Sequence, residues 1–487
     1  MSVVDMNAVA LDGSRLSCGD VVRVARGSVP VALDAKAEER ALRAYEVARD
    51  SGAKRAVYGR TTGVGANRHQ VVASDAVDQH GLRLLRSHAA TSGERCADDV
   101  VRAGLVIRLN QLAAAGSGVH PRLLRALREA LTEGAVPAVH ARGSIGTGDL
   151  GALAEIALTL AGERAWGRGG LDPVPVSPGD ALAFISSNAM TLATSVLAWH
   201  DLSRLLQASH VVAALSYCAL GGSPEAFAER VHARRPHPGS VRAAADMRRL
   251  LWGDSTQEPP AGRRLQDPFG LRAFPQVQGP ALEACDALEA VLTVDVNAAA
   301  ENPFIDVDDG GVYHHGHFAT AHLALALDHL RAALHHVAEL SAARLSDLVE
   351  PELTGLSPFL ADGPAGSSGV MILEYVSHDA LSQLRHAASP VTLGTAVISR
   401  GLEDHASFAT QAAASTAAAV GAYRTVLACE LLGAVRAVEM SGADLPAGPV
   451  AEVLRQLRPV LPVVAEDHPL TEEIHRAERA LDGLDGW

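Results

Sequence analysis

Aromatic residues are scarce, only 4% of a 487-residue chain that is 48% hydrophobic. Sandwiches and barrels rely on aromatic and β-branched side chains, whereas abundant alanine favours closely packed helices. Cysteine is scarce too: Cys18, Cys96, Cys218, Cys285 and Cys429 form an odd set with no C-x-x-C pair. A disulfide framework or zinc ribbon is therefore excluded, and a reducing, cytoplasmic setting is expected. No basic run relieves a formal net charge of -14, which argues against a nucleic-acid partner. The start, MSVVDMNAVALDG, lacks a basic segment followed by an apolar core, so no signal peptide is expected. No uninterrupted apolar run reaches about 18 residues, so no membrane span is expected. Internal repeats and low-complexity linkers are missing. So are the G-x-S-x-G elbow of α/β-hydrolases and H-E-x-x-H. The histidine-dense HHGHF at 314–318 has no fixed cysteine or carboxylate partner, so no metal site is expected. GSIGTGDL looks like a phosphate loop but lacks its lysine and its βαβ surroundings.

What is present is helical periodicity. The first 60 residues mix short strand-like pieces, VVRVARG and RAVYGR, with one helix around 34–51. From about 76 to 134 apolar residues recur at helical spacing. A Pro/Gly-rich loop at 137–150 runs into an apolar helix with Asp149 as its expected N-cap. Between Pro303 and Pro351, Leu323, Leu327, Leu330, Leu334 and Val337 alternate spacings of four and three, a heptad-like seam. A second proline-free, Ala-rich stretch lies between Pro390 and Pro446. Long helices of this kind suit a central bundle packed through small residues. The expected fold is mainly α, with a loop-rich head over 1–190, a central bundle over 191–440 and a helical tail over 441–487, in one continuous body.

Five separated segments carry the chemistry. They are YGRTTGVG (Tyr58 to Gly65), LLRSHAA with Ser87 and His88, GSIGTGDL, QDPFGLRAFPQVQG (266–279) and GLEDHASF (401–408). In order and spacing they resemble the aromatic amino acid ammonia-lyase and aminomutase family, across about residues 58–410. The resemblance implies that Tyr58, on the glycine-rich loop closed by Gly65, is the catalytic base. Taking a weakly acidic proton beside a carboxylate needs a base held close with a depressed pKa, and a mobile loop can close over substrate. It implies that Ser87 and His88 line the side-chain pocket, where histidine suits a polar or phenolic group. Arg272 falls on the carboxylate clamp, whose fork meets a carboxylate with two hydrogen bonds. Gln266 and Phe269 belong to the same motif, Glu403 stands near the substrate amine, and Phe318 matches an aromatic residue beside the prosthetic group. The substrate implied is a small molecule bearing a carboxylate, and the assembly is a homotetramer with each site drawing loops from three subunits.

That prosthetic group, a methylidene-imidazolone, forms in the family from an Ala-Ser-Gly tripeptide. Here the sequence departs: Gly146-Thr147-Gly148 is one residue short and has no such serine. Phe269 replaces a tyrosine and His317 an asparagine. Ser186 replaces the asparagine that would bond the imidazolone oxygen, with Asn188 two residues later as a substitute. Three readings stay open. Gly146-Thr147-Gly148 cyclises and Thr147 dehydrates to an ethylidene, keeping lyase or aminomutase activity. Alternatively no prosthetic group forms, and the same Tyr/Arg site runs another elimination, addition, isomerisation or cyclisation. In the third, the protein is non-catalytic.

Overall fold

The computed structural model describes residues 8–27, 29–72, 77–253, 261–442, 445–446 and 448–487. Residues 1–7, part of the start read for a leader, lie outside the described residues. Helices dominate. Among the described residues strands are two to four residues long and occur only as two-stranded pairs, such as Val9–Leu11 parallel to Val31–Leu33 and Ser92–Arg95 antiparallel to His140–Arg142. The mainly α expectation therefore stands.

The head departs from the sequence reading in two places. VVRVARG is not a strand but the second half of the helix Cys18–Gly27. Cys18, Val21, Val22 and Ala25 bury one helical face, so the spacing of three and four outweighs the β preference of valine. RAVYGR forms no strand either: Thr61 Oγ1 accepts the Val57 N–H at 2.8 Å and the chain turns. The expected helix around 34–51 runs from Ala35 to Lys54, capped by Asp34, whose carboxylate accepts the Ala37 N–H.

The two proline-free stretches form Ala321–Leu348 and Ala409–Ser441. Residues 390–408 ahead of the second are not part of that helix. Leu323, Leu327, Leu330, Leu334 and Val337 are all buried, as the heptad-like spacing requires. A third long helix, Ala189–Leu220, joins them. Two segments, Asp180–Leu220 and Ala409–Ser441, are long and apolar enough to cross a membrane. Their most apolar windows are 94% and 72% buried within the protein, which is how core helices behave.

The chain packs as two compact units, each assembled from three stretches. The first holds Met1–His200, Leu288–Leu327 and Pro390–Ala414; the second holds Asp201–Ala287, Asp328–Ser389 and Ser415–Trp487. Each has a buried ion pair. In the first, Arg108 meets Glu301 at 2.8 Å and donates to the carbonyls of Ala183 and Phe184. In the second, Arg344 grips both oxygens of Glu430, which also accepts from Ser216 and Ser341. Such charges persist in a core only when hydrogen bonds satisfy them.

Candidate active site

In the first unit three distant stretches converge on a cavity of about 700 Å³, lined by Tyr58, Gly65, Arg68, His88, Thr147, Phe318 and Glu403, among others. The glycine-rich loop supplies one wall and is held by its own backbone. Gly63 N donates to Gln70 O, and Val72 N to Thr61 O. Ala66 N reaches across to Ser399 Oγ at 3.0 Å. Gly65 has φ +55°, and a Cβ there would lie 2.4 Å from Ser399 Oγ, so only glycine suits the position. Its N–H donates to Tyr58 Oη at 2.7 Å, a bond that favours the phenolate.

The net shift at Tyr58 nonetheless runs upward from the ordinary phenol value. Burial is the largest cause and nearby Glu403 adds to it, while the Gly65 N–H and Arg68 pull the other way. The depressed pKa expected of a base is thus not a property of this chain by itself. Glu403 also lines the cavity, on the segment whose Ser399 meets the glycine-rich loop. It is fixed by a bridge in which Ile398 N donates to Glu403 O at 2.8 Å. Between them Ser399 and Arg400 take left-handed φ of 53° and 58°, conformations that non-glycine residues adopt at a cost and that cluster at functional sites. Glu403 Oε2 is buried with no hydrogen-bond partner, an acceptor left for a cation.

The third wall is the altered tripeptide. Gly146 and Gly148 have φ of +86° and +115°, and Thr147 between them lines the cavity. Gly146 O accepts from Thr320 Oγ1 at 3.1 Å and from Ser407 Oγ at 3.2 Å. Gly148 N donates to Asn188 Oδ1 at 3.0 Å, and Asn188 Nδ2 donates in turn to Phe318 O at 2.8 Å. Asn188 therefore lies directly behind the tripeptide. Asp149 heads the helix Leu150–Leu160 but does not cap it through its side chain. Fully buried, its carboxylate instead accepts the N–H and hydroxyl of Thr191, a more distant contact than the expected N-cap bond. Ser186 accepts the Asn302 N–H at 3.2 Å.

On the helix Val77–His88, His88 Nδ1 donates to Leu84 O at 2.9 Å. A carbonyl can only accept, so Nε2 is left as the free acceptor on the ring that lines the cavity. Ser87 is exposed, bonds back to Leu84 O, and is not among the cavity-lining residues. One helical step turns it away from the face that His88 presents. His317 is likewise exposed and does not line the cavity.

His314 does line it, which the sequence reading did not anticipate. Its ring stands edge-on to Tyr58 with centroids 6.4 Å apart, and burial plus the charge of Arg55 hold its pKa below the usual histidine value. The histidine density of HHGHF was the available signal. Gln266, Phe269 and Arg272 belong to the second unit. Gln266 is exposed. Arg272 is exposed as well, with Nε donating to Asp267 O at 3.1 Å and its guanidinium 4.5 Å from the Phe269 ring. The short helix Phe269–Arg272 is anchored where Arg344 Nη1 donates to Gly270 O.

Residues 16–459 match the aromatic amino acid lyase family. The chain is 34% identical to a histidine ammonia-lyase of Anaeromyxobacter dehalogenans, over 98% of this chain and 99% of that protein. It is also 34% identical to one from Geobacillus thermodenitrificans, over 98% and 97%. Among solved structures, the ergothioneine-degrading ergothionase of Treponema denticola superposes with a TM-score of 0.91 at 28% identity, covering 98% of this chain and 99% of that one. The tyrosine aminomutase of Streptomyces globisporus gives 0.91 at 26%, covering 98% and 97%. With the match spanning nearly all of its length, this chain belongs to the aromatic amino acid lyase family of carbon–nitrogen lyases.

Proposed function

We propose that the chain is an ammonia-lyase or aminomutase acting next to the carboxylate of a small amino acid with an aromatic or polar side chain. One observation carries this reading: Tyr58, Thr147, Glu403, His88 and Phe318 face a single cavity although they come from well-separated segments. Tyr58 is the base that takes the substrate proton. The buried, unpartnered oxygen of Glu403 receives the substrate ammonium. Bringing a cation between them offsets the effect of Glu403 on Tyr58, which supplies the downward pull that the chain itself lacks. His88 Nε2 and the Phe318 ring select the side chain, one by a hydrogen bond and the other by apolar contact. Arg272 is the carboxylate clamp, its exposed guanidinium free to present a two-pronged donor.

The family's prosthetic group would have to come from Gly146-Thr147-Gly148, and the donors and acceptors already set on both ends of that peptide suit it. When formed, such a ring supplies an electrophile. The homotetramer is part of this proposal, because the Arg272 role belongs with sites built from loops of several subunits. A cytoplasmic setting is proposed with it, supported by five thiols that are all free. The test is incubation with L-histidine, L-tyrosine and L-phenylalanine while ammonium is measured. Ammonium release, or transfer of the amino group to the neighbouring carbon seen by product analysis, that Tyr58→Phe abolishes supports the reading, and neither change with any of a broad amino-acid panel overturns it.

A further inference from the structure

The second unit holds a cavity of its own, about 380 Å³, formed wholly within its stretch Asp201–Ala287. Small-ligand sites fall in a range of about 300–1,000 Å³. Val231 and Pro280 give the cavity apolar surface, and His232, Arg235, Ser240 and Glu283 give it polar groups. The helix Pro238–Trp252 begins here, but its end is already occupied: Glu283 Oε1 accepts the Gly239 N–H at 2.7 Å. The capacity left unmet lies in the side chains.

Two of these are buried. His232 is 4% exposed, and its Nε2 lies 2.9 Å from Ala226 O. A carbonyl can only accept, so Nε2 carries the hydrogen and Nδ1 of the neutral ring is an acceptor. Nδ1 has no partner among the described residues. Ser240 is 5% exposed, and its hydroxyl likewise has no partner among them. Buried polar groups in a folded chain are normally paired, so two left open on one cavity are groups that a bound molecule would satisfy.

Two opposite charges accompany them. The Arg235 guanidinium is exposed and makes no hydrogen bond or ion pair among the described residues. Glu283 keeps Oε2 open, since only Oε1 holds the helix end. The two charges share the cavity without forming an ion pair with each other. That arrangement suits a ligand carrying both signs.

We propose that this cavity is a binding site for a zwitterionic α-amino acid. Arg235 presents its fork to the carboxylate, with the Ser240 hydroxyl as a further donor. Glu283 Oε2 and His232 Nδ1 accept from the ammonium, whose three hydrogens serve both. Val231 and Pro280 receive the side chain. A plain anion would leave both acceptors unmet beside a like charge, and a plain cation would leave Arg235 unmet. Neither satisfies all four groups. The Tyr58 cavity lies in the first unit, and the proposal needs nothing from the lyase reading.

The experiment is equilibrium dialysis of the full-length chain against a panel of labelled common L-amino acids, carried out in Tyr58→Phe so that nothing is turned over. At least one amino acid should bind in an amount that Arg235→Ala, added to that chain, lowers by one molecule per chain. Arg235 is exposed, and circular dichroism checks that the variant folds. Glu283→Gln keeps an oxygen for the Gly239 N–H but removes the charge. It should weaken the same site about 10- to 100-fold, the scale of a charged hydrogen bond. The deaminated acid and the decarboxylated amine of that amino acid should bind as weakly. A molecule that remains bound in Arg235→Ala reports the Tyr58 cavity. Failure of the lyase reading would thus show as no remaining molecule, and failure of this proposal as no lost one. The proposal is overturned if no amino acid on the panel loses binding in Arg235→Ala. It is overturned equally if the deaminated acid, or inorganic phosphate, binds this site as tightly as the amino acid.

Discussion

Replacing Tyr58 with phenylalanine separates chemistry from folding at this site. The ring stays, with its edge-on packing against His314, and only the phenolic oxygen goes. That oxygen accepts one hydrogen bond, from Gly65 N at 2.7 Å. Losing one such bond in a half-buried loop costs about 0.5–1.5 kcal/mol of stability. Losing a positioned general base costs about 10²–10⁴ in turnover, equivalent to ~3–5 kcal/mol of barrier. The variant should therefore unfold at nearly the native denaturant concentration while its turnover collapses. Thr147→Ala gives the companion result. It cannot dehydrate, so if Thr147 becomes the electrophile its turnover collapses as far as that of Tyr58→Phe. If no electrophile forms, it costs no more than a hydroxyl hydrogen bond, about 0.5–1.5 kcal/mol. The assay is steady-state turnover of native and variant proteins beside equilibrium unfolding in urea. Full activity in Tyr58→Phe would refute every role assigned to this cavity.

Other perturbations have equally definite outcomes. Glu403→Gln removes one of the influences that raise the Tyr58 pKa, so ultraviolet titration of that phenol should shift toward lower pH; an unmoved titration would disconnect the two residues. Arg272→Lys should weaken carboxylate ligands by about 1.5–3 kcal/mol, because an ammonium cannot reproduce the forked hydrogen bond; unchanged affinity in calorimetry would refute the clamp. Burial raises the Asp295 pKa to about 6 from 3.8, against a smaller opposing effect of His322. A folded pKa above the unfolded one penalises the charged carboxylate, fully above about pH 6 and progressively less as pH falls toward 3.8. Asp295→Asn should thus raise the melting temperature at pH 7 by an amount worth about 1 kcal/mol after screening, and hardly at pH 4; an equal gain at both would contradict this.

How much of this was legible in the sequence depended on distance along the chain. The seam of Leu323 to Val337 was readable because helical periodicity is a local property, and each of its five members is buried. Tyr58, Gly65, His88, Thr147, Phe318 and Glu403 were readable because each lies in a compact motif, and they do share a cavity. Ser87 was not, because adjacent helical residues point about a quarter-turn apart and the motif does not say which one faces inward. VVRVARG misled because valine's β preference and a three-four burial spacing coincide in one short run. Thr320 and Ser407 went unnoticed for a different reason. Nothing in either local sequence announces that two hydroxyls 87 residues apart will meet on the carbonyl of Gly146.

The central claim is that this cavity moves the amino group of an amino acid. It is tested most directly with nitrogen-labelled L-amino acids, following the label and the carbon product in the same reaction. Label should be released as ammonium in step with an unsaturated acid, or be found on the neighbouring carbon if the enzyme is a mutase, with both signals lost in Tyr58→Phe. Label that stays in place for every amino acid tried, or that moves equally well in Tyr58→Phe, would contradict it.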